Sequence, residues 1–239
     1  MAEQEVIKHT KKIFSVWGEK KSFWHKLREF VLEILIIVFA ITLSIYLHDR
    51  SVKKHQDHET KEFLLGLKED LKTDIAEMDS DRVSYLKSGL AFAYIANRKI
   101  NELPDPDTLE KYRNWILNTT GLIPNSGRFE GFKSSGKIGT IDNKELQNNI
   151  MDLYQEDIPN VIVSTNSYTQ KKQRLFDYLA TNRKRITDST DNFATVMGSD
   201  HAHNISKNLS YVGEIIQRYD TCISKMKAII KGIEEEYGK

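Results

Sequence analysis

Three hydrophobic patterns organise the chain. The first is a block: residues 30–47 read FVLEILIIVFAITLSIYL, eighteen residues whose one charge is Glu33. A helix rises about 1.5 Å per residue, so the block makes roughly 27 Å of helix, enough to cross a hydrocarbon core of about 30 Å with interfacial help. The second is a stripe. Leu64, Leu67, Leu71, Ile75 and Met78 recur at steps of three and four, and Leu86, Leu90, Ala93 and Ile100 resume it, with Arg82 and Asn97 as breaks. No proline interrupts this tract before Pro104, so one long helix is predicted to follow the block and to stop at LPDPD, where Asp107 can cap a short next helix. The third is a heptad seam: Leu209, Val212, Ile216, Tyr219, Ile223, Met226, Ile230, Ile233 and Tyr237 alternate steps of three and four.

A seam needs a partner. A helix bundle closed within one chain is the expected arrangement, and self-association through the seam as a homo-oligomeric coiled coil is the alternative. Between the patterns lie the loop TTGLIPNSGR and a short helix around FEGFKSSG. A helical tract then runs from Asp142 or Asn143 to about Arg185, kinking or restarting at Pro159. With 12 glycines and 4 prolines in 239 residues, turn-rich β architectures are disfavoured and the fold class is all-α.

The block reads as an uncleaved signal anchor. A cleavable signal peptide would need an n-region of 29 residues here, and no small-x-small site follows, where the chain continues HDRSVKKHQ. Lys11, Lys12, Lys20, Lys21, Lys26 and Arg28 precede it, against Arg50, Lys53, Lys54 and Lys61 after it, a bias that predicts a cytoplasmic N-terminus and an exported C-terminal part. The organisation expected is a basic segment at 1–29 with interfacial Phe14, Trp17, Phe23 and Trp24, a membrane helix at 30–47, a polar juxtamembrane helix at 48–62, and an exported helical domain at 63–239. Within the span, Glu33, Ile37, Ala40 and Ser44 share one helix face, with Ala40 and Ser44 as a small-xxx-small pair. Glu33 can pack against another subunit or snorkel to the interface.

Charge and candidate chemistry narrow the function classes. The chain holds 35 basic and 34 acidic side chains for a formal charge of +1, leaving no basic excess for nucleic acid. That balance is uneven: the first 29 residues carry seven bases and four acids, the rest an almost neutral mixture. A single cysteine, Cys222, rules out an internal disulfide framework and multi-cysteine metal centres, and offers one handle for thiol labelling. The string GFKSSGKI approaches a phosphate-binding loop but has Ile138 where a magnesium-holding serine or threonine is needed; the expected structure is a helix C-terminus with Gly136 left-handed and Ile138 and Ile141 tucked onto the core. His55, His58 and Glu62 share a helix face at spacings of three and four, a weak candidate for zinc weighed against a solvated helix. No nucleophile motif, catalytic cluster or cofactor signature is present, so no catalytic residue and no cofactor are assigned.

Several segments together resemble a known family: LEILIIVFAITLSIYLHD, the continuation ETKEFLLGLKEDLKTDIAEM, and FEGFKSSGKIGTIDNKELQNNIMDLY. They are similar, over roughly residues 25 to 180, to an uncharacterised family of single-span helical membrane proteins common in Bacteroidota. Glu33 and Ile34 match its span pattern, and Ala40 and Ser44 fall where it has small residues; Leu32 and His48 depart from it, where the family has glycine and asparagine. The resemblance implies topology and lineage and no activity. The expected function is therefore a single-pass protein of a bacterial inner membrane, its partners being the bilayer and other membrane or envelope subunits. Its periplasmic helical domain is expected to serve as an accessory, scaffold or interaction subunit of an envelope complex. The alternative is a periplasmic bundle that senses a small molecule, which a pocket closed by convergent polar groups would favour.

Overall fold

One helix, α1 (Phe23–Ala96), carries both the apolar block and the stripe. The structure, a computed structural model, describes residues 23–100, 102–188 and 190–238; Phe14, Trp17 and the bases before Phe23 lie outside them. The remaining elements are α2 (Pro106–Leu117), α3 (Gly127–Ser134), a 3-10 turn (Lys137–Thr140), α4 (Lys144–Asp152), a wide turn (Leu153–Asp157), α5 (Ile158–Asn182), α6 (Phe193–Met197), α7 (Asp200–Leu209) and α8 (Gly213–Tyr237). Apart from one isolated bridge between Arg185 and Asp191, the regular structure among the described residues is helical, and the all-α class stands. The described chain divides into two units between Gln56 and Asp57.

In the first unit the apolar stretch of α1 is long and apolar enough to cross a membrane, and none of it is buried. In the second unit, which takes in Glu59 and Thr60 from the stretch read as juxtamembrane, the helices pack around one core. The buried positions on α1 include one column, Thr60, Leu64, Leu67, Leu71, Asp74, Met78, Asp81, Tyr85, Ser88, Phe92 and Ile95, at steps of four and three without a gap, with Phe63, Gly89 and Ala91 buried beside it. Five of these seats are polar or phenolic, which is why a stripe traced through apolar residues alone breaks after Met78 and strays to Leu86, Leu90 and Ile100. Those three face solvent, at 43%, 64% and 86% exposure. A helix seat is set by its angle, and the polar residue occupying it must then find a partner there.

Local chemistry sets the element ends. α1 stops at Ala96, before either proline, and the chain turns back on Tyr94, whose hydroxyl accepts from Arg98 Nη1 (2.9 Å) and the Asp105 backbone N–H (3.0 Å). The cap of α2 is Asp105 rather than Asp107: its carboxylate accepts from Thr108 N (2.8 Å) and Thr108 Oγ1 (2.7 Å), and Pro106 takes the first helical position, where its missing N–H costs nothing. Asn143 caps α4 by accepting from Leu146 N at 3.0 Å. The kink expected at Pro159 is the wide turn, in which the Ile158 N–H reaches back five residues to the Leu153 carbonyl before Pro159, which has no N–H to donate. Gly136, at φ 73°, closes the end of α3, Ile141 is fully buried and Ile138 packs against the core.

α8 lies antiparallel to α1 in this unit, with Arg82 paired to Asp220 (2.7 Å) and Lys68 to Glu234 (3.7 Å). Its buried seats are Ile215, Tyr219, Cys222, Met226, Ile229 and Ile233, with Ile223 beside them at 6% exposure. Ile216 and Ile230 are partly buried and flank that stripe, one residue away from the deepest column. Leu209 ends α7, and Val212 precedes α8 and packs on Gly89 of α1, where an added Cβ would stand 2.7 Å from a valine methyl. The pattern from Leu209 to Tyr237 is therefore carried by two helices and a corner, closed within the chain.

Candidate functional site

Residues 118–126 join α2 to α3 without regular structure of their own. Backbone groups in such a segment need partners, and the polar seats of α1 supply them. Residue numbers fall along the connector as they rise along α1. The Asp74 carboxylate accepts from Asn125 Nδ2 at 2.6 Å and from its backbone N–H, Glu77 accepts from Ile123 N at 3.2 Å, and Asp81 accepts from Thr120 Oγ1. The second Asp81 oxygen accepts from the Tyr219 hydroxyl of α8 at 3.1 Å, so one buried carboxylate joins connector, α1 and α8. Tyr85 donates to the Thr120 carbonyl at 2.6 Å, and Ser88 to the Trp115 carbonyl at 3.0 Å. Beyond the connector, α3 is fixed by two stacked pairs, Phe63 with Phe132 (3.9 Å) and Phe129 with Tyr154 (4.3 Å).

Lys172 of α5 completes this polar seam. It is 1% exposed, and its ammonium donates to the carbonyls of Trp115 (2.8 Å), in the last turn of α2, and of Asn118, the residue that caps that helix end. A cation at a helix C-terminus meets orphan acceptors and the negative end of the dipole together. The Phe92 ring lies 5.6 Å from the same ammonium. Lys172 also lines a cleft of about 370 Å³ shared with Ser84, Ser88, Asn114, Thr119 and Thr169. Burial pushes its pKa down from 10.5 to about 8, and among the described residues no carboxylate holds it up.

Burial acts on several other groups. It raises the Asp74 carboxyl against the pull of the Asn125 donors, raises the Tyr85, Tyr168 and Tyr219 hydroxyls, and pushes the Cys222 thiol up to about 12. Cys222 is fully buried, so it is no handle for labelling the native domain.

For Lys172 the folded pKa lies below the unfolded one, so below pH 8 both states hold the proton and the fold carries the full cost of the buried charge. Between about 8 and 10.5 only the unfolded state stays protonated, and stability contributed by this group rises with pH. The unfolding free energy of the unmodified protein, relative to a Lys172→Met variant, is expected to climb by about 2–3 kcal/mol across that window. Thermal unfolding of both proteins at stepped pH measures the difference and cancels the opposing contributions of Cys222 and the buried tyrosines.

The residues expected from sequence lie elsewhere. Glu33, Ile37, Ala40 and Ser44 are exposed on the apolar stretch. His58 pairs with Glu62 at 3.4 Å on an exposed surface, and among the described residues no group of three or more His, Cys, Asp or Glu could hold a metal ion. Lys137, in the loop-like string, pairs with Glu59 at 2.7 Å. Lys172 is concealed inside a polar run, KKQ, yet the sequence carries a signal for it: Val161, Thr165, Tyr168, Lys172, Leu175 and Leu179 step by four and three, so the lysine occupies a core seat.

No curated protein and no solved structure matches this chain. A family model does, over residues 33–192, taking in most of the apolar stretch, the polar seats of α1, the connector and Lys172. On that match the chain belongs to a family of unknown function, DUF6090.

Proposed function

We propose that this is a single-pass protein of a bacterial inner membrane, with its N-terminus cytoplasmic and its helical domain periplasmic. The domain acts by protein contact as an accessory, scaffold or interaction subunit of an envelope complex. The observation that carries the reading is uncovered apolar surface. The stretch at 30–47 is exposed along its whole length and needs a bilayer around it. In the helical domain Val83, Leu86 and Leu90 leave a second, smaller apolar stripe on the solvent side of α1, at 42%, 43% and 64% exposure. The excess of bases before the span supports the orientation. Purification from membranes in mild detergent tests the contact role: a stoichiometric partner lost on Leu86→Glu with Leu90→Glu supports it, and a chain that purifies alone under all mild conditions contradicts it.

The cleft at Lys172 favours a second reading, a periplasmic bundle that senses a small molecule. Its lining of hydroxyls, amides and one buried cation is the convergent polar set such a role needs.

A further inference from the structure

Lys172 is a buried ammonium with three N–H donors. Two reach the Trp115 and Asn118 carbonyls, and no carboxylate pairs with it among the described residues. Neutral carbonyls and the helix dipole offset part of the cost of burying a charge, and a counter-ion offsets more. The cleft it lines is the natural place for that ion. Its walls carry the Ser88 hydroxyl, the Asn114 amide and the Thr169 hydroxyl, with Trp115 and Tyr168 as apolar faces. Its volume, about 370 Å³, lies at the small end of ligand sites. A single cation, with no arginine and no helix N-terminus in the lining, matches one negative charge and not a polyphosphate.

We propose that the cleft binds a small hydroxylated monocarboxylate, a ligand class that rests on the small-molecule-sensing role of the bundle. Its carboxylate takes the remaining N–H of Lys172, and its hydroxyls bond to Ser88, Asn114 and Thr169. Lys172 and Ser88 are already held in place by the polar seam, so little ordering of these two accompanies binding.

The test is thermal unfolding of the full chain in mild detergent at pH 7, with sodium lactate or sodium gluconate at about 20 mM against sodium chloride at equal ionic strength. Glycerol serves as a neutral polyol and inorganic phosphate as a different anion. One of the two carboxylates is expected to raise the melting temperature by about 3–5 °C at ten times its Kd. The shift should vanish in Lys172→Met and in Asn114→Trp, which puts a bulky ring at an exposed residue of the cleft lining. Asn114→Trp alone carries the comparison if Lys172→Met fails to fold. No shift with either carboxylate up to about 50 mM overturns the proposal. So does an equal shift in the variants, or one given equally by glycerol or phosphate. A shift given by glycerol or phosphate and lost in the variants would keep the sensing role while rejecting the carboxylate class. None of these outcomes bears on the contact role, which the partner purification tests separately.

Discussion

Ile229→Asp is expected to abolish the folded domain, whereas Ile230→Asp one residue later should leave it standing. Ile229 is fully buried on α8, while Ile230 is only partly buried beside the core. Removing a buried isoleucine side chain costs about 2–5 kcal/mol, and placing a carboxyl in the vacated core site adds its desolvation. The sum, about 5 kcal/mol or more, approaches the entire stability of a typical domain. At Ile230 the new carboxylate can turn toward water, and the loss is about 1–2 kcal/mol. Chemical denaturation of the two variants reads the difference. Ile216→Asp belongs with Ile230 in this scheme, so a charge at Ile216 weakens the domain without destroying it.

Asp81→Ala is the second large effect. The Asp81 carboxylate is the acceptor for both Thr120 Oγ1 and the Tyr219 hydroxyl, inside a core where Tyr219 is fully buried. Leaving the buried Tyr219 donor without an acceptor costs about 1–3 kcal/mol and the half-buried Thr120 hydroxyl adds less, so the variant should lose about 2–4 kcal/mol. Tyr219→Phe removes one donor and keeps the ring, at a cost of about 1 kcal/mol. A double-mutant cycle between the two positions should return a coupling of about 1–3 kcal/mol. A coupling near zero would mean that Asp81 and Tyr219 act independently and that the carboxylate does not join α1 to α8.

Both predictions turn on register, and register marks the limit of what the residues alone make legible. The helical class, the exposed apolar stretch, the restart before Pro159, the Asn143 cap and the left-handed Gly136 follow from local chemistry that leaves a clear trace in sequence. The seats of α1 do not. Asp74, Asp81 and Ser88 look like solvent residues until a connector distant in sequence is laid over them, and Leu86 and Leu90 look like core until that seam is seen to lie on another face. On α8 two heptad columns run side by side, and choosing Ile216 and Ile230 over Ile215 and Ile229 follows from apolarity alone, which does not separate neighbours of the same type. Lys172 is hidden by composition: a lysine among lysines reads as solvated unless its seat is counted.

The polar seam also bears on the proposed role. Asp74, Asp81, Tyr85, Ser88 and Lys172 spend core positions on holding one connector and one helix end, rather than on apolar packing. Buried polar contacts of this kind favour one arrangement over competitors more than they add net stability. A domain that presents a fixed surface or a fixed cleft gains from that uniqueness.

Sidedness is the central claim: one span, with the helical domain on the exported face. The direct measurement uses a Lys231→Cys chain in which Cys222 is replaced by alanine, because Lys231 is 78% exposed on α8 whereas the native thiol is buried. A membrane-impermeant maleimide is applied to intact cells, to cells with only the outer membrane opened, and to fully lysed cells. An exported domain is labelled as soon as the outer membrane is opened; labelling that waits for lysis of the inner membrane would contradict the proposed topology.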